Sequence, residues 1–211
     1  MRIINKELNI VVVGGFNPNI ITPDWLEHNN LITAKDSKSR SITLINNEVS
    51  IFKIPDIEIF TSRERLQLTL KRCEFPELVF DLAIGILTLL IQTPVKNLGI
   101  NQHLIYDLDS REDRNELGFK LVPPGIWSGI LPTYEGMNLL RIQAKRDDDY
   151  SGYVWIDVSP VDGTTNQVKF AMNDHYVITG GCEQLIKILS KSFSFDHFES
   201  VCNKLIQEQK K

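Results

Sequence analysis

Cysteine is scarce in this 211-residue chain. Cys73, Cys182 and Cys202 stand too far apart for a C-x-x-C site, and an odd number cannot pair completely within one chain, so reduced, buried thiols are the expected state. Glycine, at 12 residues, and proline, at 9, are too few for a collagenous or low-complexity chain. Neither sign of charge dominates. The 23 Lys plus Arg face 27 Asp plus Glu, a formal charge of −4, which gives no general electrostatic reason to bind nucleic acid or anionic lipid. A membrane-spanning run is also missing: the longest nearly unbroken apolar stretch, Leu82 to Ile91, covers about 15 Å as a helix, half of a ~30 Å hydrocarbon core. The first residues, Met1 to Asn9, mix charges through what would be the apolar part of a signal peptide, and no export segment is expected. Alanine is rare (Ala34, Ala83, Ala144 and Ala171) while isoleucine and asparagine are frequent, a composition that AT-rich coding favours. The expectation is a bacterial, cytoplasmic protein.

The motifs of common chemistries are missing as well. Neither G-x-G-x-x-G nor G-x-x-x-x-G-K-[ST] occurs, and the four histidines, His28, His103, His175 and His197, show no H-x-x-x-H or H-E-x-x-H spacing. The segment Val11 to Pro18 has a β-branched run followed by Gly14-Gly15, the order of a phosphate-binding loop, but its spacing is wrong and Pro18 removes an amide. It reads as a tight turn. Asp174-His175 and Asp196-His197 are sequence neighbours whose side chains diverge on a strand or a helix, so no catalytic triad follows.

What the chain does have is a hydrophobic content of 42% and enough length to bury about 70% of its unfolded surface in a core of its own. Asn9 to Val13, apolar at successive positions, reads as a central strand covered on both faces. Thr22-Pro23-Asp24 offers an N-cap and a first-turn proline for a short helix reaching Ile32. Ala34 to Ser41 is polar and without periodicity. Strands are expected over Ser41 to Ile45 and Val49 to Ile54, joined by an Asn46-Asn47 turn, and as two short pieces within Ile57 to Leu70 around Thr61 to Glu64. Glu77 to Gln92 is a helix apolar almost all round, which must be enclosed by protein or meet a partner.

The second half runs through a similar order. Leu98 to Leu108 alternates, with Ile100, Gln102, Leu104 and Tyr106 on one face and Asn101, His103, Ile105 and Asp107 on the other. Ser110 caps a helix through Phe119, and Leu121 to Gly136, rich in proline and glycine, is a long loop. Strands follow at Leu139 to Lys145, Tyr153 to Ser159, and Gln167 to Ile178 with a kink at Asn173-Asp174; Glu183 to Gln207 forms a helix or helix pair. The fold class expected is α+β: one domain over residues 1–211, with a largely antiparallel sheet and helices mainly on one face. Element order alone suggests a duplicated strand, helix, three strands, helix unit, with pseudo-repeats at 9–92 and 98–207.

Three candidate sites remain. The acidic cluster Asp107, Asp109, Glu112, Asp113 and Glu116 sits at a strand-to-helix junction, where Asp107 and Asp109, joined by the distant Asp157, would be the ligands of a metal-dependent phosphoester hydrolase or nuclease. The plainer reading is a set of solvated acids at a helix N-terminus. Phe193, Phe195 and Phe198, with Trp127 in the long loop, form an aromatic payload suited to an interface or to sealing the core. Trp127 and Tyr134 would wall a small-ligand pocket under the 121–136 loop. Basic residues Arg63, Arg65, Lys71 and Arg72, with Lys35, Lys38 and Arg40, carry no interleaved aromatics within Arg63 to Arg72, so nucleic acid is an unfavoured partner. The function expected is a non-catalytic protein-interaction or assembly component, a homo-oligomer or an accessory subunit, without cofactor and without a membrane role. The metal-dependent hydrolase and the ligand-binding module stand as alternatives.

Overall fold

Two thirteen-residue strands, β1 (Arg2–Gly14) and β6 (Val95–Asp107), lie antiparallel at the middle of the molecule. The computed structural model describes residues 1–71, 74–127, 129–131, 133, 136–191 and 193–207. Each central strand is followed by helix and then by a meander that returns to it. After β1 come α1 (Pro23–His28) and α2 (Ala34–Lys38), then β2 (Ser41–Ile45), β3 (Val49–Ile54), β4 (Ile57–Ser62), β5 (Arg65–Lys71) and α3 (Glu77–Leu89). After β6 come α4 (Arg111–Leu121), β7 (Leu140–Lys145), β8 (Gly152–Pro160), β9 (Gln167–Val177), α5 (Gly181–Leu189) and α6 (Asp196–Gln207). The strands form one antiparallel sheet of nine among the described residues, in the order β2, β3, β4, β5, β1, β6, β9, β8, β7. The fold is α+β. No helix among the described residues is long and apolar enough to cross a membrane.

Register follows hydrophobic alternation, because a one-residue slip would turn every apolar side chain to the other face. Ile10 pairs with Leu68 on β5 and with Ile100 on β6, and Leu104 pairs with Phe170 on β9. Leu8, Ile10, Val12, Leu66, Leu68, Leu98, Leu104 and Phe170 have no exposed surface, and α1, α3, α4, α5 and α6 all add residues to this same core. Val79, Ala83, Ile86 and Leu87 come from α3, Leu185 from α5, and Phe198 with Cys202 from α6. Full burial of one such aliphatic side chain contributes about 1.5–3 kcal/mol.

Among the described residues, no helix packs on the opposite face. Across its middle run rows of in-register side chains: Glu7, His103, Ala171, Asp157 and Arg141 in one, and Asn9, Asn101, Asn173, Trp155 and Gln143 in the next. Asn101 Nδ2 donates to the Asn9 carbonyl, and Asn173 Nδ2 donates to Asn101 Oδ1. This uncovered face corrects the expectation that β1 is covered on both sides, since Val11 is half-buried and Val13 is 36% exposed. Other boundaries also move. β1 begins at Arg2 because β6 supplies partners along its whole length, α1 stops at His28, and β9 keeps one register through Asn173-Asp174 with no kink. The polar segment after Ile32 holds a short helix, α2, set by a capping box in which Thr33 Oγ1 accepts from the Asp36 amide and Asp36 accepts from the Thr33 amide.

The Gly14-Gly15 turn is a packing device. Its amides are consumed by the chain: Gly14 N donates to Glu64 O at 3.0 Å, Gly15 N to Pro94 O at 2.8 Å and Phe16 N to Arg63 O at 2.9 Å. A Cβ on Gly14 would sit 2.6 Å from Pro94 O and 3.1 Å from Val95 Cγ1. Gly14→Ala is therefore expected to destabilise the protein by about 1–3 kcal/mol through overpacking against backbone, read as a lower urea midpoint.

Both described cysteines, Cys182 and Cys202, are buried free thiols, and Cys73 lies outside the described residues. Burial, followed by the Glu199 carboxylate, pushes the Cys202 thiol up to about 12. The folded chain thus keeps a proton that the unfolded chain releases near pH ~8.5. The associated stability is complete below that pH and is lost as pH rises toward about 12. Native protein should accordingly leave Cys202 unreacted with Ellman's reagent in mildly alkaline buffer and expose it on unfolding, with a urea midpoint that falls from neutral to strongly alkaline pH.

Candidate binding cleft

A spacious concavity grows from the sequence between Thr22 and Lys38. Thr22 Oγ1 accepts from the Trp25 amide and Pro23 fills the first turn, so α1 starts sharply; Asn30, at φ 59°, turns the chain back. Asparagine tolerates this left-handed conformation better than most side chains do. Leu31 then drops onto α3 at Gly85, where an added Cβ would lie 2.6 Å from Leu31 Cδ2. Ile32 follows, and the Thr33–Asp36 capping box fixes the second wall. The β3–β4 turn at Pro55-Asp56 and the N-terminal half of α3 complete the rim.

The resulting cleft has a volume of about 830 Å³. Leu31, Ile32, Ile54, Ile57, Leu78 and Leu82 make its apolar surface, and Glu27, Asp36, Asp56 and Asp81 supply four carboxyl groups. No lysine, arginine or histidine is among the lining residues. Asp36 is occupied by Thr33, whose hydroxyl donates to it at 2.6 Å. The side chains of Glu27, Asp56 and Asp81 form no ion pair or hydrogen bond with a described residue. Leu78, on the first turn of the apolar helix, remains 48% exposed, and Phe75 just before it is 64% exposed. Three uncompensated acids over an apolar surface focus a negative potential in the cleft.

No family model and no curated protein matches this chain. Its candidate sites therefore rest on their own geometry.

The three carboxylates considered as metal ligands do not converge. Asp107 pairs with Gln167 and Asp157 with Ala171 in the ladder, two strands and four residues apart, roughly 17 Å at ~3.4 Å per residue and ~4.8 Å per strand. Each is otherwise engaged. Asp107 accepts from Asn166 at 3.2 Å and pairs with Arg2, Asp109 pairs with the N-terminal amine, and Asp157 takes a bidentate Arg141 at 2.7 and 2.6 Å. No group of three His, Cys, Asp or Glu side chains suited to a metal ion occurs among the described residues.

The aromatic payload is divided between core and surface. Phe195, 6% exposed, and Phe198, fully buried, lie within the chain's own core, the second of the two readings given for them, where they seal the start of α6 against the sheet. Phe193 is half-buried with its ring 4.9 Å from Phe80, while Trp127 stays 37% exposed on a 3-10 turn, Pro124–Trp127. The cavity beside the 121–136 loop, reaching Gly118, Gly136 and Met137, is only about 60 Å³, room for roughly two waters. Tyr134, the other expected wall, and Arg72 of the basic stretch lie outside the described residues. Among the remaining basic residues of that stretch, Arg63 pairs with Glu48 and Lys71 with Glu58.

Sequence reasoning missed the cleft because its lining comes from three separate stretches, 27–36, 54–57 and 78–82. The one available signal was the almost wholly apolar helix, whose Leu78 stays 48% exposed. Because the side chains of Glu27, Asp56 and Asp81 bond no described residue, removing charge here costs no folding interaction. Asp56→Asn combined with Asp81→Asn should leave stability within about 0.5 kcal/mol of the parent or raise it, with the larger gain at low salt, measured as urea midpoints at two ionic strengths.

Proposed function

We propose that the protein is a non-catalytic interaction component that holds a basic, amphipathic segment of a partner protein in the cleft between α1, α2, the β3–β4 turn and α3. The observation that supports this reading is the charge pattern of the cleft: among its described lining residues are three carboxylates without an ion pair or hydrogen bond and no lysine, arginine or histidine, beside a leucine that is 48% exposed.

The chemistry of the occupant follows from the lining. Apolar side chains at helical spacing would cover Leu78 and the Ile54–Ile57 corner, while lysine or arginine on the flanks would reach Glu27, Asp56 and Asp81. Acid–base pairing at the rim mainly accelerates encounter and selects the partner, and the apolar contact supplies most of the affinity. The protein then acts as an accessory subunit or adaptor that positions another chain.

Fluorescence anisotropy with a labelled, helix-forming peptide of leucines and lysines tests this reading. Binding should weaken as salt rises, fall at least tenfold in the Asp56→Lys, Asp81→Lys double variant, and be absent for the analogue with glutamates in place of lysines. Equal binding of the basic peptide by the parent and by the charge-reversed variant would overturn the proposal. Native mass spectrometry of the same sample separates a peptide complex from a second copy of the chain in the cleft.

A further inference from the structure

The two ends of the sheet are built differently. At one end, β2 shifts register against β3 between Ile42 and Leu44, an irregularity of the kind that keeps an edge from accepting another strand. At the other end, β7 has no such shift and no proline: Leu140 to Lys145 keep one register against Val158 to Tyr153. No further strand follows it among the described residues. Arg141 to Lys145 are all exposed, with Ile142 at 60%, and Leu139 just before them is 56% exposed. A straight edge bearing an exposed isoleucine is a template for another strand.

The groups that β7 offers can be named. Successive residues of an antiparallel ladder turn their amides and carbonyls to opposite sides. Arg146 N donates to Gly152 O at 3.5 Å, so the even-numbered residues of β7 bond to β8; Val177 N donates to Ser151 O at 2.8 Å, so the odd-numbered residues of β8 bond to β9, as the same alternation requires. Arg141, Gln143 and Lys145 therefore present their backbone groups to the open side. Their side chains lie on the polar face of the sheet, and those of Leu140, Ile142 and Ala144 lie on the other.

This edge is complementary to itself in one register. An antiparallel copy related by a two-fold axis must set odd residues opposite odd ones to keep both faces matched. An axis at Arg141 would place two guanidinium groups opposite each other, and an axis at Gln143 would place Arg141 opposite Lys145; like charges so placed are destabilising. An axis at Ile142 sets Arg141 opposite Gln143, Leu140 opposite Ala144, Lys145 opposite Leu139, and Ile142 against itself. Arg141 already has its countercharge in Asp157 of its own chain, at 2.7 and 2.6 Å, and needs none from the other copy. We propose that two copies of the chain join through β7 about a two-fold axis at Ile142, continuing the sheet from one copy into the next. The interface shares no residue with the cleft around α1 and α2, so a dimer carries two such clefts and the inference does not rest on their occupant.

Sedimentation equilibrium of the full-length protein tests it. The weight-average mass should rise from one chain toward two between about 1 and about 100 µM, the range suited to a small interface. Ile142→Lys, which sets two ammonium groups at the axis, should stay monomeric throughout while keeping the parent's thermal midpoint, because the position is exposed. Register is read by cross-linking. Facing Ile142 residues form a non-hydrogen-bonded pair with Cα atoms about 4.5 Å apart, within disulfide reach, whereas the two Ala144 residues lie about 14 Å apart along the strands. Under mild oxidation Ile142→Cys should form a linked dimer at least tenfold faster than Ala144→Cys, each corrected for the parent. A parent that remains monomeric at about 100 µM would overturn the inference, as would a dimer that Ile142→Lys leaves intact. Equal cross-linking of the two cysteine variants would overturn it too, since the copies would then meet in another register or through another surface.

Discussion

The antiparallel pairing of β1 with β6 is the constraint on which the rest of the structure depends. It runs from the Arg2–Asp107 pair to the Gly14–Val95 pair and joins the two halves of the chain in one hydrogen-bonded ladder. The remaining strands are added outward from it: β5, β4, β3 and β2 on one side, and β9, β8 and β7 on the other. The strand order therefore reads the same way from the centre in both directions, a first strand, then the last strand of its own meander, then the others in reverse. A slip of one residue between β1 and β6 would turn Leu8, Ile10 and Val12 away from Leu98, Ile100 and Leu104 and leave the helices nothing to cover.

Placing the helices of the core on one face divides the chemistry of the molecule. The helical face is where the chain buries its aliphatic and aromatic side chains, and it contains the cleft. The other face is a polar lattice, with asparagines in register on β1, β6 and β9 and with Tyr153 stacked on Trp155 and His175 at 5.2 and 4.4 Å. Several of its charges are matched internally, Arg141 with Asp157 and Lys71 with Glu58, and His103 Nδ1 lies 3.3 Å from Glu7 Oε1. Such a face is stable in water as it stands. The cleft at α3 differs from it in its charges: the side chains of Glu27, Asp56 and Asp81 form no ion pair or hydrogen bond with a described residue.

The pattern of unanswered groups also explains why the acidic cluster after β6 carries less weight than its sequence suggested. Asp107 and Asp109 tie the N-terminal strand to the end of β6, through Arg2 and the terminal amine. Ser110 then accepts from the Asp113 amide at 3.0 Å and begins α4. Acids that complete a strand pairing and a helix start are already in use. Those around the cleft, at Glu27, Asp56 and Asp81, are not.

Local rules determined a large part of this protein. Alternation placed Ile100, Gln102, Leu104 and Tyr106 on one face of β6, proline and threonine started α1, Asn46 turned β2 into β3, and a single antiparallel sheet with helices on one side followed from element order. These features depend on side chains a few residues apart, which the sequence places unambiguously. The full length of β1, the capping-box helix α2 inside a polar stretch, and the burial of Phe195 and Phe198 needed the tertiary structure, because each is stabilised by a partner distant in sequence or by a local bond too short to show as periodicity. The cleft belongs to the same class. A carboxylate or a carboxamide becomes conspicuous only when every neighbour that might have satisfied it is known, and those neighbours are chosen by the packing of helices on the sheet.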